Sequence, residues 1–472
     1  MDTLNPASFA TSTSLSEAEL LDLEAQYCSH GDTVHYVNPP KIFTDCRGSF
    51  MYDGQGREFL DLQMWYSAVN FGYKNERLAN AVRRTLDTLP QVASQYLHRD
   101  KIELATLIAR DAEAKFGEKG RVHFNVGGSQ AIEDSLKIVR NYKKGKSLMI
   151  AFEGGYHGRT LGASAITSSY RYRRRYGHFG DRAMFIPFPY HFRGPKGMTK
   201  EEYGDACVKQ FARLFESEYY GLWDPKVGEA EYAALYLEPL QGTGGYVLPP
   251  QNFFKDMKKV LDQHGILMVV DEIQMGVYRT GKLWSIEHFD VKPDAIVFGK
   301  AITNGLNPLA GVWAKEALIN PTTFPVGSTH STFNANPMGT GVALETMKML
   351  AEMDYETSVR EKGTYFLEGL KGLKEKHKIV GDVDGLGLAL RLEVCEPHDS
   401  FTPAKRLVDR MVDVGLAGHI DVKGRKYGCV LDIGGYYKNV VTLAPSLDIS
   451  REEIDLAIVL LDKLLDDAAR HA

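Results

Sequence analysis

Two continuous apolar runs in the middle of the chain predict buried strands of a parallel sheet. The runs cover 266–270 (ILMVV) and 295–298 (AIVF), a pattern typical of strands that are buried on both faces. The first run ends in an acidic pair that begins with Asp271, and the second is followed by a glycine and then Lys300. Each strand therefore delivers a charged side chain just beyond its carboxyl end, where open α/β sheets bind their ligands.

Further patterns on either side of these runs predict an α/β protein. A third apolar run, 233–237, predicts another buried strand, and helical periodicity extends over 76–89 and 102–116. From residue 341 the pattern is helical again, followed by short strands and a final amphipathic helix over 451–469. We therefore expect a large α/β region followed by a smaller α+β region.

Length, composition and charge exclude several classes of protein. The 472 residues suffice for two or three domains, and 44% apolar with 25% charged residues is ordinary for a globular protein. A net charge of −5 gives no reason to expect nucleic acid or an anionic membrane as a partner. No apolar run approaches the roughly 18 residues of a membrane-spanning helix. The first 20 residues lack the basic and apolar regions of a secretory signal.

The cysteines predict reduced thiols and no zinc site. There are five of them, an odd number without CxxC spacing: Cys28, Cys46, Cys207, Cys395 and Cys429. Such a dispersed set is typical of small buried hydrophobic side chains in a cytoplasmic protein. No metal ligand set is predicted.

Asp271 and Lys300 at neighbouring strand ends suit one organic cofactor, pyridoxal phosphate (PLP). PLP requires an amine that forms a Schiff base and an acidic partner that keeps its ring nitrogen protonated. A desolvated site helps the lysine because burial disfavours the ammonium form. The alternative is an ordinary buried carboxylate and a solvated surface lysine.

The residues around this pair resemble a known family signature. DEIQ-x-G-x-x-RTG from Asp271, followed by VFGK ending at Lys300, is similar to the signature of class III aminotransferases. These are PLP enzymes of fold type I, related to ornithine, 4-aminobutyrate and amine:pyruvate aminotransferases. The resemblance extends over nearly the whole chain in motif order and spacing, and several further motifs agree with it.

The resemblance assigns the residues that hold the cofactor. GGSQAIEDSLK is similar to the family motif SGxEAxExAxK, which implies that Gly128 and Ser129 bind the phosphate at a helix N-terminus. Tyr156, the aromatic residue before His157 and Gly158, is implied to stack on the pyridine ring. The cofactor shell implied by the family comprises Gly128, Ser129, Tyr156, His157, Asp271, Ile273, Gln274 and Lys300, with Gln274 near the ring 3-oxygen.

Four residues are implied to face the substrate. Arg159 matches the arginine that binds a substrate carboxylate in the 4-aminobutyrate and ornithine enzymes, although a structural ion pair is an equal alternative. Glu238 belongs to a segment similar to the family's EPxxG, whose Glu faces the substrate. Trp65 and Tyr66 correspond to a substrate-side loop with a bulkier wall than usual, and a role as plain core aromatics is the alternative.

The segment 170–230 is predicted to be an irregular insertion near the mouth of the site. It is polar and aromatic-rich, and five arginines lie between Arg171 and Arg182. In an acidic protein such a cluster is more often a solvated face or an interface than a nucleic-acid stripe. An anionic substrate is a lesser alternative.

A homodimer with shared active sites is implied by GSTHSTFNANP, which is similar to the family's HxSTFxxNP. In the family the threonine, here Thr332, reaches the cofactor phosphate of the partner subunit. The implied fold is a three-layer α/β/α domain with a mostly parallel sheet (71–340) and a small α+β domain (341–472). An N-terminal segment (1–70) contributes to the small domain and the substrate loop.

Three departures from the family bear on the substrate. Thr442 occupies the position of an arginine that glutamate-using members pair with the EPxxG glutamate, and Lys438 is the only cation slightly upstream. Related racemases place an Asp where this chain has Thr243. These departures favour transfer from an amine or ω-amino acid to a 2-oxo acid such as pyruvate, by a ping-pong mechanism.

Other reactions remain open on the same scaffold. Epimerases, decarboxylases and phospho-lyases share it, because a fold does not determine a function. A non-catalytic PLP-domain regulator is disfavoured, since no helix-turn-helix segment precedes the domain.

Overall fold

The computed structural model describes residues 15–31, 34–173, 176 and 183–472. Most of the N-terminal segment for which no secretory signal is predicted lies outside this range, as do Arg174, Arg175 and Arg182 of the basic cluster. In chain order, the α-helices are α1 (Glu17–Tyr27), α2 (Met64–Ser67), α3 (Glu76–Thr88), α4 (Arg99–Phe116), α5 (Gly128–Tyr142), α6 (Leu161–Ala165), α7 (Lys200–Arg213), α8 (Phe253–Gln263), α9 (Glu316–Ile319), α10 (Pro337–Glu352), α11 (Tyr355–Lys376), α12 (Lys405–Ala417) and α13 (Arg451–Arg470). Among these described helices, none is long and apolar enough to cross a membrane.

The strands follow the same order. They are β1 (Phe43–Arg47), β2 (Phe50–Asp53), β3 (Glu58–Asp61), β4 (Gly120–Asn125), β5 (Leu148–Phe152), β6 (Met184–Ile186), β7 (Trp223–Asp224), β8 (Glu229–Ala230), β9 (Tyr232–Leu237), β10 (Leu267–Asp271), β11 (Ala295–Phe298), β12 (Ala310–Lys315), β13 (Val380–Leu386), β14 (Ala389–Glu396), β15 (Asp399–Pro403), β16 (Ile420–Val422), β17 (Arg425–Val430), β18 (Asp432–Gly434) and β19 (Val440–Leu443).

A seven-stranded sheet forms the centre of the large region. Its strand order is β4-β12-β11-β10-β9-β5-β6, and the five strands from β11 to β6 are parallel while β12 is antiparallel to both neighbours. The mostly parallel sheet predicted from the apolar runs is therefore confirmed. Its carboxyl edge carries both Asp271 and Lys300, because β10 and β11 are adjacent parallel strands.

Two hydrophobic cores lie on opposite faces of this sheet. Along β10, Met268 and Val270 belong to one core, while Val269 belongs to the other. The alternation follows from the two-residue repeat of a strand. Helix α8 covers the first face and α5 the second, which gives the predicted three layers. Both faces are apolar, so the strands read as continuous apolar runs in the sequence.

The N-terminal strands join the C-terminal part of the chain. Strand β3 pairs in parallel with β17, within a sheet of order β1-β2-β3-β17-β16. A second small sheet has the order β13-β14-β19-β18, with β15 paired to β14. This pairing supports our proposal that segment 1–70 contributes to the small domain. Helix α10 spans the proposed 340/341 boundary and is joined to α3 by an Arg77–Glu345 ion pair of 2.6 Å.

The prediction of an irregular insertion over 170–230 is wrong. Strand β6 extends the central sheet beside β5, and α7 is a regular helix of 14 residues that packs near α8. Thr199 and Glu202 cap α7 through reciprocal hydrogen bonds. The buried residues of α7 are Gly204, Cys207 and Phe211, so little of its apolar face shows in the sequence.

Candidate active site

Lys300 lies at the carboxyl end of β11 and opens a short 3₁₀ turn over Lys300–Thr303. It adopts a left-handed conformation with φ 45°, which is uncommon for a residue with a side chain and typical of functional sites. Burial lowers the pKa of Lys300, although the charges of Asp271, Glu238 and Asp432 act in the opposite direction. A lowered pKa increases the neutral fraction of the amine, which is the nucleophilic form.

Asp271 is fixed by two hydrogen bonds at the end of β10. Its Oδ2 lies 2.9 Å from Nδ1 of His157, and its Oδ1 accepts the backbone N–H of Ile273 at 3.0 Å. Burial tends to lower the pKa of His157, but the hydrogen bond and the charge of Asp271 outweigh it and raise that pKa. The backbone N–H of His157 donates to Thr167 Oγ1 at 2.9 Å. The carboxylate is thus held rigidly at the base of the site.

The N-terminus of α5 forms an anion site next to this pair. Gly127 precedes the helix without a capping side chain, and the first helical hydrogen bond runs from Ala131 N–H to Gly127 C=O. The N–H groups of the first turn are therefore available to an anion. Ile273 packs between this turn and the strand end that carries Lys300: a Cβ on Gly128 would lie 3.0 Å from Ile273, and one on Gly299 3.7 Å.

Ser129 links this anion site to the segment after β5. Its Oγ accepts the backbone N–H of Arg159 at 3.3 Å, and a Cβ on Gly158 would lie only 2.3 Å from that oxygen. Gly158 has φ 127°, so both its conformation and its surroundings require glycine. The close approach places Ser129, Tyr156 and Arg159 around one wall of the site.

Tyr156 and Arg159 form an aromatic and cationic wall with Tyr172. The Tyr156 and Tyr172 rings meet edge to face at 5.1 Å, and the Arg159 guanidinium lies 4.6 Å from the Tyr172 ring centroid. Arg159 is exposed, and among the described residues no carboxylate oxygen lies within 4.0 Å of its nitrogens. Among the described residues, Arg159 therefore does not form the structural ion pair that was the alternative to binding a substrate carboxylate.

Glu238 lies behind this wall. Its Oε1 accepts the Tyr156 N–H at 2.8 Å and its Oε2 accepts the Gly242 N–H at 2.9 Å. Burial is the main cause that raises the pKa of Glu238 to about 7. No described lysine or arginine is paired with it, which agrees with the absence of an arginine at Thr442.

The substrate-side loop is a single left-handed turn. Met64, Trp65, Tyr66 and Ser67 all have positive φ, between 44° and 64°, which is costly for residues with side chains. Asp61 Oδ1 accepts the N–H of Gln63 at 2.8 Å and of Met64 at 2.9 Å. Trp65 is 57% exposed and Tyr66 37% exposed, so neither is a core aromatic. The turn projects Tyr66 into the cavity and lays Trp65 against Gly305.

Arg279 holds this turn in place and was missed by sequence reasoning. It is fully buried, donates to Ser67 Oγ at 2.7 Å and Asn70 Oδ1 at 2.6 Å, and binds the carbonyls of Leu388 and Pro445. Burial lowers the pKa of Arg279 to about 10. Arg279 therefore connects the segment after β10 to the substrate loop and to the backbone next to β14 and β19.

These side chains surround one cavity of about 870 Å³. Tyr66, Tyr156, Arg159, Gln274 and Lys300 line it from the predicted set. Gln274 is oriented by a hydrogen bond from its Nε2 to Tyr246 Oη of 3.0 Å. Thr332 does not line the cavity; it is exposed and lies on the segment 330–335, which contacts segment 94–98.

Comparison with known proteins identifies the family. The family description "Aminotransferase class-III" matches residues 33–465. The chain belongs to this family. The alanine/serine racemase of Pyrococcus horikoshii is 31% identical over 95% of this chain and 90% of that protein. The 4-aminobutyrate aminotransferase GabT of Escherichia coli is 29% identical over 96% of this chain and 99% of that protein.

Solved structures agree with the family. The thermostable (S)-enantioselective omega-transaminase from Thermomicrobium roseum is 28% identical, with a TM-score of 0.85 over 96% of this chain and 99% of that one. A Bacillus anthracis aminotransferase is 27% identical, with a TM-score of 0.84 over 96% of this chain and 100% of that one. The fold is fold type I, as predicted from the sequence.

The cofactor of this family is pyridoxal phosphate, and the site fits it. The first turn of α5 provides free N–H groups for a phosphate, and its glycine leaves room for close approach. Asp271 provides a fixed carboxylate for a ring nitrogen, and Lys300 an amine of lowered pKa. The described residues hold no group of three or more side chains arranged to bind a metal ion.

Proposed function

We propose that the enzyme transfers an amino group from an amine or ω-amino acid to a 2-oxo acid such as pyruvate. Membership of the class III aminotransferases makes it a PLP-dependent aminotransferase. The observation that carries the proposal is the convergence of Lys300, the Asp271–His157 pair and the α5 N-terminus on one cavity.

Each residue of the site has a separate role in this reaction. Bound PLP supplies an aldehyde that accepts the amino group and a protonated ring that withdraws electrons from the substrate carbon. The N–H groups of Gly128 and Ser129 would bind the phosphate, and Asp271 would keep the ring nitrogen protonated. The neutral Nζ of Lys300 would take the proton from the substrate carbon and, as a general acid, deliver it to the carbon of the former aldehyde. Tyr156 would cover the ring face and exclude water.

The charge pattern of the cavity supports an acceptor with one carboxylate. Arg159 is available for one carboxylate group, whereas Thr442 donates its hydroxyl to Asp432 and pairs with no glutamate. A second carboxylate would therefore approach Asp432, which lines the cavity without an ion-pair partner among the described residues, although Arg171 and Lys438 line other parts of it. An unpaired charge buried in this way costs on the order of several kcal/mol.

Pyruvate is expected to be a better acceptor than 2-oxoglutarate by at least about tenfold in kcat/KM. The reason is that the second carboxylate of 2-oxoglutarate would lose its hydration without gaining a positively charged partner. The measurement compares the two acceptors with one shared amine donor that has no carboxylate. An Arg159→Gln control should weaken both acceptors and leave the KM of the amine donor little changed. A preference for 2-oxoglutarate would show that a cation such as Lys438 binds the second carboxylate.

The same reactions test the racemase alternative, which the similarity to the Pyrococcus horikoshii racemase favours. Thr243 lines the cavity where related racemases place an acid, and a threonine hydroxyl is a poor base at neutral pH. Amino transfer should therefore be stoichiometric with the acceptor. Inversion of an amino acid without any acceptor, and no transfer, would overturn the aminotransferase proposal.

A two-fold dimer completes the proposal. Tyr96 (66% exposed), Leu97 (73%) and Phe333 (67%) present apolar surface on segments 94–98 and 330–335. A 2.6 Å Ser94–His330 hydrogen bond joins these segments. Burying this apolar surface against a second copy would stabilise a dimer and bring Thr332 towards the partner's phosphate site.

The protein in solution should accordingly have twice the chain mass of 52.7 kDa by light scattering. Phe333→Ser should shift the equilibrium to the single chain, whereas Tyr219→Ser should not, since Tyr219 is a similarly exposed aromatic outside these segments. A monomeric wild type would contradict the shared-site dimer.

We also propose a cytoplasmic location, supported by the five free cysteines.

A further inference from the structure

A carboxylate with no role in the proposed chemistry lies on the small-domain wall of the active-site cavity. Asp432 begins β18 and lines the same cavity as Lys300. It is half-buried, so it is accessible from the cavity. Its charge reaches the reacting amine: it is one of three acidic groups that oppose the lowering of the Lys300 pKa by burial.

Neutral donors hold Asp432 in position. Tyr36 Oη donates to Oδ1 at 2.9 Å, and Thr442 Oγ1 donates to Oδ2 at 2.7 Å. Gln63 Nε2 lies 3.4 Å from Oδ1. Tyr36 has a single hydroxyl proton, which it donates to Asp432. In the 3.2 Å contact between the Tyr36 and Tyr66 hydroxyl groups, Tyr66 is therefore the donor. The carboxylate is thus oriented by a chain of hydroxyl groups.

Asp432 forms no ion pair with a described residue, although its charge opposes the lowering of the Lys438 pKa by burial. Among the described residues, no lysine, arginine or histidine nitrogen lies within 4.0 Å of its oxygens, although Lys438 lines the same cavity. Arg391 on β14 lies opposite Thr442 on β19, which in turn lies opposite Asp432 on β18. Arg391 nevertheless forms its ion pairs with Glu393 and Asp382. A half-buried carboxylate that faces a cavity and has no direct ion-pair partner among the described residues favours a ligand that carries a positive charge.

We propose that Asp432 is a specificity-determining residue that binds a second ammonium group of the amino donor. This inference rests on the proposed aminotransferase function and names its donor class, which is linear diamines and related diamino compounds. The reacting amine lies at Lys300 and the distal ammonium contacts Asp432, since both residues line one cavity. The same carboxylate repels the second carboxylate of a dicarboxylic acceptor.

The test compares linear diamines of increasing chain length with the monoamine of the same length, using pyruvate as the acceptor. In the wild type, the best diamine should exceed its monoamine by about tenfold or more in kcat/KM, as expected for a hydrogen bond to a charged group. Asp432→Asn keeps the size and one acceptor oxygen for a hydroxyl donor but removes the charge. It should bring this ratio close to one.

Asp413→Asn is the matched control, because Asp413 is an exposed acid on the rim of the same cavity. It should retain the wild-type ratio within about twofold, since exposed charges are screened by salt. The ratio compares two donors on one protein, so a general loss of activity does not affect it.

The outcomes separate this inference from the proposed function. A wild type that uses monoamines and diamines equally well would overturn the role of Asp432, even if the Asp432→Asn protein failed to fold. An Asp432→Asn protein that keeps the diamine preference, or an Asp413→Asn protein that loses it equally, would overturn it as well. Failure of every donor to transfer an amino group would instead contradict the aminotransferase proposal.

Discussion

Lys300→Ala is expected to lower the turnover of amino transfer by more than about a thousandfold while leaving the protein folded. The change removes both the amine that binds the cofactor aldehyde and the base that moves the substrate proton. The phosphate site at the α5 N-terminus and the carboxylate of Asp271 are untouched, so the protein should still bind PLP non-covalently. The measurement is turnover with an amine donor and pyruvate, together with the absorbance of the bound cofactor.

Lys405→Ala provides the control for this experiment. Lys405 lines the same cavity but is paired with Asp409 and is exposed, so its loss should leave most of the activity. More than trace turnover in the Lys300→Ala protein, measured without added amines, would remove Lys300 from the mechanism.

Asp271→Asn is expected to lower kcat by about a hundredfold or more and to change KM much less. A neutral amide cannot hold the ring nitrogen protonated, and that interaction is strongest when charge develops on the substrate carbon. The variant also removes the group that raises the pKa of His157, so burial would then favour the neutral imidazole. Steady-state kinetics and the absorbance of the bound cofactor measure these effects.

Asp294→Asn is the matched control. Asp294 is a buried carboxylate directly before β11, at the end of that strand opposite Lys300. It accepts the Met268 N–H at 2.8 Å and pairs with Lys315 at 3.0 Å. Its loss should lower the thermal stability but not kcat. An unchanged kcat in the Asp271→Asn protein would count decisively against the assigned role of Asp271.

The local sequence pattern was sufficient to locate strands that are buried on both faces. Strands β10 and β11 are covered on both faces, which leaves continuous apolar runs whose ends could be located from the sequence. The charged residues that follow these runs were located at the same time. Helix α7 was missed because its few buried residues include a glycine, although the Thr199–Glu202 capping box was a readable signal.

Other parts of the site depend on contacts between distant segments. Arg279 reads in the sequence as part of a motif, but its role comes from Ser67, Asn70, Leu388 and Pro445, which are far apart along the chain. The left-handed turn over Met64–Ser67 is unfavourable by itself and persists because such contacts hold it. No pattern in the local sequence indicates either feature.

Strand burial, the residues at strand ends and the family motifs were sufficient to predict the fold class, the cofactor and the placement of Lys300 and Asp271 at neighbouring strand ends. Only the tertiary structure decided the charge of the substrate cavity. Thr442 showed in the sequence that an arginine is missing, but not that its hydroxyl binds Asp432, nor that Tyr36 donates to the same carboxylate. These residues meet because β18 pairs with β19 and the N-terminal segment folds back over them, and pairing between distant segments leaves no local periodic signal.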